Sequence, residues 1–292
     1  FSLLTGGPGV GKTTVLRAWA DAVASLGKTP LLAAPTGRAA RRMEEATGRP
    51  ASTIHRLLRI PPSDAAFAPP PQALDCDALA VDESSMLDLV LFVQVLRALP
   101  SHATLVLVGD PHQLPSVGPG DVLHALLRSN VAPAARLTRV FRQEVGGVLA
   151  LNAHRVLEGR LPEAAQSGVE SDFYFMERDD AEEGALLIRD LVADRLPRRY
   201  GFDPREDVQT LSPMHRGAAG TERLNLLLQE ALNASAPCVV RGDKTFRRGD
   251  RVIALKNDYV RILANGEIGR VVEASREEAA LDVAFGGAVH RF

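Results

Sequence analysis

The sequence predicts an α/β fold: a parallel sheet covered by helices on both faces, followed by a smaller β-rich part. Three observations predict it. Short apolar runs of strand length (Phe1–Thr5, Pro30–Ala34, Ala78–Val81, Thr104–Val108) alternate with stretches of helical spacing, the pattern of a sheet buried on both faces. A glycine-rich loop joins the first apolar run to the first helical stretch. From Gly249 the texture changes to short β-like runs separated by turn residues.

The loop is Gly6-Gly7-Pro8-Gly9-Val10-Gly11-Lys12-Thr13-Thr14, and Gly6, Gly11, Lys12 and Thr13 fit the spacing G-x-x-x-x-G-K-[ST] between a strand and a helix. Glycines let backbone N–H groups curl around a polyphosphate, and the helix N-terminus adds partial positive charge. Lys12 reaches β- and γ-phosphate oxygens, while the Thr13 hydroxyl ligates Mg²⁺. This is a nucleotide site.

The helix that follows, about Thr13 to Leu26, should turn Val15, Leu16, Trp19, Ala20 and Val23 toward the sheet. Trp19 on that face suits core packing better than stacking on a base. Pro30–Ala34 reads as a buried strand, and Thr36 as the N-cap of a helix over about 37–47. Ser52 or Thr53 is a second candidate cap, before Ile54-His55-Arg56-Leu57-Leu58. Pro61–Pro71 holds five prolines and is either a linker or a small appended hairpin. The strand Ala78–Val81 ends in Asp82-Glu83; a helix over about 87–99, the strand Thr104–Val108 and the loop Gly109–Gly118 follow. Beyond Arg142 the pattern thins to a helix over 148–158, a short strand at Gln209-Thr210-Leu211 and a helix over 221–232. The last runs, Arg251–Leu255, Gly269–Ala274 and Leu281–Phe285, are separated by Asn265-Gly266 and Gly286-Gly287 and suggest a small barrel.

Composition sets bounds on all of this. The chain has 292 residues, enough for two domains, with 46 % apolar and 24 % charged residues. A net charge of −2 announces no global basic field, although positive charge confined to one groove would still serve a nucleic acid. Cys76 and Cys238 are far apart and not in metal-ligand spacing, which points to a reduced, cytoplasmic protein. No apolar stretch of transmembrane length and no signal peptide is present, so no membrane partner is expected. The first strand starts at the first residue, so the chain is expected to be a fragment with something upstream.

An apolar strand ending in Asp82-Glu83 is the expected partner of the phosphate loop. Asp82 can hold Mg²⁺, and Glu83 is placed to polarise a water for attack on the γ-phosphate. Then come Gly109-Asp110-Pro111-His112-Gln113-Leu114-Pro115, and earlier Ala34-Pro35-Thr36-Gly37-Arg38 and Ser52-Thr53-Ile54-His55. With these stretches the chain resembles a RecD-like DNA helicase of the 5′-to-3′ class of superfamily 1. The match runs in order from Gly6 to about Arg142 and continues more weakly through Leu211–Gly217 and Lys256–Gly269.

That resemblance implies a P-loop NTPase, RecA-like motor domain over 1–140, with a small proline-rich insertion at about 59–76 where the family has a strand-separating pin. It further implies part of a second RecA-like domain over 141–242 and an SH3-like β insertion over 243–292. It implies ATP and Mg²⁺ as cofactors and single-stranded DNA, or a duplex with a single-stranded tail, as partner, with other recombination or repair subunits as further partners. Gln113 matches the γ-phosphate sensor, Arg142 an arginine directed at the γ-phosphate, and Phe141 an aromatic beside the base. Thr36, Arg38, Thr53 and His55 match stretches that touch the DNA backbone. His112 lies in the loop Asp110–Val117 that joins the two sites, and Arg216 and Asn257 complete the DNA-facing candidates. Arg216 reads equally well as a loop cap. Two later family motifs, one with a Gln-Gly pair and one with an arginine finger, do not occur before Phe292, so the second motor domain is expected to be incomplete here. A DNA-associated ATPase switch is the alternative function. A P-loop kinase would leave Gln113 and Arg142 without a reason for their contexts.

Overall fold

The computed structural model describes residues 1–60, 71–139, 147–164, 171–255, 258, 261, 263 and 266–292. The chain divides into two compact units, Phe1–Tyr174 and Phe175–Phe292.

In the first unit six strands form one parallel sheet: β1 (Ser2–Gly6), β2 (Pro30–Ala34), β3 (Ala51–Thr53), β4 (Ala78–Val81), β5 (Thr104–Gly109) and β6 (Ala134–Leu137). Their order is β3-β2-β4-β5-β1-β6. The apolar runs have no polar alternation because both faces are buried. Leu3, Ala33, Leu79, Val81, Leu105 and Leu107 point to one core cluster; Leu4, Leu32, Ala34, Ala80, Val106 and Val108 point to the other. The helices α1 (Lys12–Ser25) and α2 (Gly37–Thr47) cover the second face through Leu16, Ala20, Ala40 and Met43. The first face is covered by α3 (Ile54–Leu58), α4 (Leu89–Ala98) and α5 (Val122–Ser129) through Ile54, Leu58, Leu91, Val95 and Val122. Trp19 packs against the second cluster, as its helical spacing predicts, whereas Val15 stays 40 % exposed.

Side-chain caps fix where several helices start. Thr36 Oγ1 accepts the Ala39 N–H, and Thr53, rather than Ser52, caps α3 by accepting the Arg56 N–H. The helix expected from residue 87 begins at Leu89: a 3₁₀ turn occupies Ser84–Met86, and Asp88 caps α4. Helix α6 (Val148–Leu157) is capped from a distance, Asp172 Oδ1 accepting the Leu149 N–H at 3.1 Å.

The second unit opens with α7 (Ala181–Asp190), which runs through a π-helical turn at Leu191–Arg195 into α8 (Leu196–Tyr200). The strand expected at Gln209-Thr210-Leu211 does not form; the three residues have no strand partner, and Leu211 is 84 % exposed. After α9 (Thr221–Asn233) come the hairpin β7 (Cys238–Arg241)–β8 (Lys244–Arg247) and an antiparallel sheet ordered β12-β11-β10-β9. These four are β9 (Arg251–Ile253), β10 (Ile268–Ser275), β11 (Ala280–Phe285) and β12 (Ala288–Arg291). Val239 and Phe246 of the hairpin join Val271, Leu281, Val283 and Phe285 in one core, which makes the two sheets a small barrel. A bulge between Val271 and Glu273 supplies curvature. Asp250 ties α9 to the barrel, accepting hydrogen bonds from the side chains of Gln229 and Asn233 and from the Arg247 N–H. The Pro61–Pro71 stretch lies outside the described residues except for Pro71.

Candidate active site

In a parallel α/β sheet the loops that leave the carboxyl ends of the strands share one rim, and ligands bind there. In the first unit that rim carries the predicted residues from five strands. β1 leads into the phosphate loop, β4 into Asp82-Glu83, and β5 into Asp110–Gln113. β2 and β3 lead to Thr36 and Thr53. Since β4, β5 and β1 are successive neighbours, the three nucleotide elements lie side by side.

Close packing fixes the phosphate loop. A Cβ on Gly6 would come within 2.7 Å of the Leu137 carbonyl oxygen and 2.6 Å of Val10, so only glycine fits. Gly9 (φ 77°) and Gly11 (φ 89°) adopt left-handed backbone that side chains disfavour, and Val10 is buried beneath the turn. Gly7 has open space where a Cβ would stand, so the loop's outer side is free for a ligand. No side chain caps the N-terminus of α1, which leaves the amides at Lys12, Thr13 and Thr14 for an anion. Lys12 Nζ donates to the carbonyls of Gly6 (2.7 Å) and Gly7 (2.8 Å), so the ammonium is already held over the loop.

The acidic pair sits where β4 ends. Burial pushes the Asp82 carboxyl above the usual carboxylate range and the Glu83 charge adds to this, while the Glu83 N–H and the Lys12 ammonium oppose it. Asp82 Oδ1 accepts that N–H at 2.8 Å. Glu83 is a non-glycine residue in the left-handed region (φ 51°), a conformation that persists only where surroundings impose it. Its Oε2 is buried with no hydrogen-bond partner. A buried, unpaired carboxylate oxygen beside a second desolvated carboxylate is costly unless a cation or a proton donor arrives. Together with the Thr13 hydroxyl these are hard oxygen donors, the set that suits Mg²⁺.

Gln113 is brought to this pair by groups the sequence did not single out. Ser85, on the turn after Glu83, donates its hydroxyl to Gln113 Oε1 at 3.4 Å. Asp110, buried at the end of β5, accepts the His112 N–H (3.0 Å) with its side chain and the Gln113 N–H (3.2 Å) with its carbonyl. A Cβ on Gly109 would meet the Ser85 amide nitrogen at 3.2 Å, so the end of β5 presses directly on the turn that follows Glu83. His112 is exposed and lies 3.5 Å from Arg136 on β6.

The nucleic-acid candidates of this unit occupy the other half of the rim. Thr36 and Thr53 are helix caps, Arg38 is exposed on the first turn of α2, and His55 is half-buried. Burial lowers the His55 pKa, and the Asp88 carboxylate acts against that shift. Arg216 belongs to the second unit, on an exposed turn before α9; His215 beside it bonds Thr221 (2.9 Å). Phe141, Arg142 and Asn257 lie outside the described residues. The missed residues Ser85 and Asp110 had no local signal, because their roles arise from pairing two loops. Asp88 had one: a capping type three residues before Leu91 at the start of an apolar run.

An AAA-domain family model matches residues 1–119, and a model described as the ATP-dependent RecD-like DNA helicase SH3 domain matches residues 224–285. The ATP-dependent RecD2 DNA helicase of Deinococcus radiodurans is 40 % identical over 291 residues, covering 98 % of this chain and 38 % of the relative. The RecBCD enzyme subunit RecD of Mycolicibacterium smegmatis is 31 % identical over 310 residues, covering 93 % of this chain and 54 % of the relative. The chain thus spans between about four-tenths and about half of the length of these two relatives. A solved structure of Pif1 helicases at forked double-stranded DNA superposes with a TM-score of 0.57 at 19 % identity, over 100 % of this chain and 71 % of that one, a likeness of fold.

Proposed function

This chain belongs to the RecD-like helicase family, and from that premise we propose that it carries the ATP-hydrolysing part of a motor that moves on single-stranded DNA. The observation that supports this most is the convergence of Lys12, Asp82, Glu83 and Gln113 at the ends of three adjacent strands, with Glu83 Oε2 buried and unpaired. ATP would lie with its phosphates along the loop, against the free amides of α1. Thr13 and Asp82 would hold Mg²⁺, whose charge, once bound, offsets that of the β- and γ-phosphates. Lys12 exchanges its two backbone carbonyls for phosphate oxygens. Glu83 Oε2 accepts the proton of the attacking water as the water's oxygen bonds to the γ-phosphorus and the bond from that phosphorus to the β,γ-bridging oxygen breaks, its electron pair leaving with ADP. The Gln113 amide nitrogen donates to the γ-phosphate while Ser85 holds its oxygen end. Loss of that phosphate releases the loop Asp110–Val117, which carries the change toward the DNA side of the rim.

DNA would lie along the starts of α2 and α3, where exposed amides and Arg38 meet phosphates without reading sequence. Travel from 5′ to 3′, a role in repair or recombination and a cytoplasmic setting are further parts of this reading, and assembly with other subunits is supported by the Mycolicibacterium smegmatis relative being named a subunit of the RecBCD enzyme. Among the described residues no helix is long and apolar enough to cross a membrane. The test is ATP hydrolysis by the full-length protein with and without single-stranded DNA at two salt concentrations. Strong stimulation that weakens as salt rises is expected; turnover indifferent to DNA would sink the motor.

A further inference from the structure

Resting on the reading of the site as a DNA-stimulated ATPase, we propose that Asp88 is a positioning residue that passes DNA occupancy at α3 to the loop carrying Gln113. Two segments meet on its side chain, and its charge reaches a third. The first is its own: five residues after Glu83, Asp88 closes the catalytic turn and caps α4, Oδ1 accepting the Leu91 N–H at 2.7 Å.

The second segment is the far half of the sensor loop, which lies over the other carboxylate oxygen. A Cβ on Gly118 would come within 2.2 Å of Asp88 Oδ2, so no side chain fits between them. Next to it the Leu89 N–H donates to the Pro119 carbonyl at 2.9 Å. Gly120, left-handed at φ 93°, turns the loop away against Leu89 Cβ, which a Cβ at this position would approach within 2.8 Å. The Ser116 hydroxyl lies 3.0 Å from the Gly118 carbonyl and 2.9 Å from that of Gly120, and binds this half into one piece. The near half is tied to the catalytic turn through Gln113 and Ser85. The loop is therefore gripped at both ends by the one stretch running from Ser85 to Leu89.

The third segment is the start of α3. Ile54 and Leu58 of α3 pack in one core with Leu91 and Val95 of α4, the helix that Asp88 caps, and the Asp88 charge acts on the half-buried imidazole of His55, two residues from the DNA candidate Thr53. The N-terminus of α4 pulls on the same carboxylate. A phosphate arriving at α3 competes with Asp88 for His55. The carboxylate then answers more to α4, and the loop resting on it moves with it.

The experiment measures ATPase activity of the full-length protein against single-stranded oligonucleotide concentration, together with oligonucleotide binding by anisotropy. Asp88→Asn keeps the cap and the shape but removes the charge; Asp88→Ala removes both. The ratio of DNA-stimulated to basal turnover is expected to fall about fivefold or more in Asp88→Asn, the scale of an ordinary coupling between sites. The oligonucleotide concentration giving half-maximal stimulation should move far less. Adding His55→Ala to Asp88→Asn should lower the ratio no further than the larger single effect. An unchanged ratio in Asp88→Asn, or equal losses in the basal and stimulated rates, overturns the proposal. If Asp88→Ala fails to fold, Asp88→Asn alone decides. A wild-type enzyme that DNA does not stimulate would instead overturn the underlying function, which separates the two failures.

Discussion

The two halves of the strand-end rim are built on opposite principles. Where β4, β5 and β1 end, the chain closes in: Gly6 leaves no room for a methyl group, Asp82 is desolvated, and Glu83 holds a strained backbone and an unpaired buried oxygen. Where β2 and β3 end, it opens out, into helix starts capped by Thr36 and Thr53 with Arg38 in solvent. Chemistry on a phosphate rewards groups fixed before the reaction, in a place where water does not weaken them. A polyanion that must be gripped and released many times is better met by contacts that cost little to break. The contrast predicts large, specific losses from the closed half and small, graded ones from the open half.

Glu83→Gln breaks the closed half at its most exacting point. Turnover should fall by roughly 10²–10⁴-fold, the worth of a general base, with nucleotide binding retained. Single-turnover hydrolysis beside equilibrium binding of a fluorescent nucleotide checks this, and a loss below tenfold would move water activation to another residue. Lys12→Ala should cost about 10²–10³-fold in turnover, as when one preorganised donor is removed, and should also weaken nucleotide binding. Asp82→Asn sharpens the comparison differently. It should abolish Mg²⁺-dependent turnover yet raise the melting temperature of the nucleotide-free protein, by about 2–4 °C for each kcal/mol of desolvation relieved. A lower melting temperature in calorimetry would mean that Lys12 already compensates the buried carboxylate. In the open half, Arg38→Ala should weaken single-stranded DNA only a few-fold. It should also reduce the slope of log K against log salt by about 0.7, one phosphate contact. A changed affinity with an unchanged slope would remove Arg38 from the backbone path.

What could be read from the sequence follows the same division. Strands β1, β2, β4 and β5 were legible because burial on both faces leaves uninterrupted apolar runs. The caps Thr36 and Thr53 were legible because they stand directly before their helices. β6 was not: Ala134–Leu137 is an exposed edge strand with no apolar run, and pairing with β1 alone makes it a strand. Gln209-Thr210-Leu211 shows the converse, a segment with strand character that has no partner. At the site, Lys12, Asp82 and Glu83 carried their own signals and Gln113 was singled out only by the family resemblance, whereas Ser85 gains its place from a bond to Gln113, 28 residues on. Single residues announce chemistry; the contacts that hold them in place belong to pairs, which a linear reading does not see.

Asp250 has a consequence for how such proteins are cut and rebuilt. One carboxylate, shared between the end of α9 and the first strands of the barrel, makes that helix and that barrel a single heritable module. Splicing the barrel into another scaffold at the obvious seam, the loop after Asn233, would strand the carboxylate without Gln229 and Asn233. A graft that begins before Thr221 carries its own lock with it.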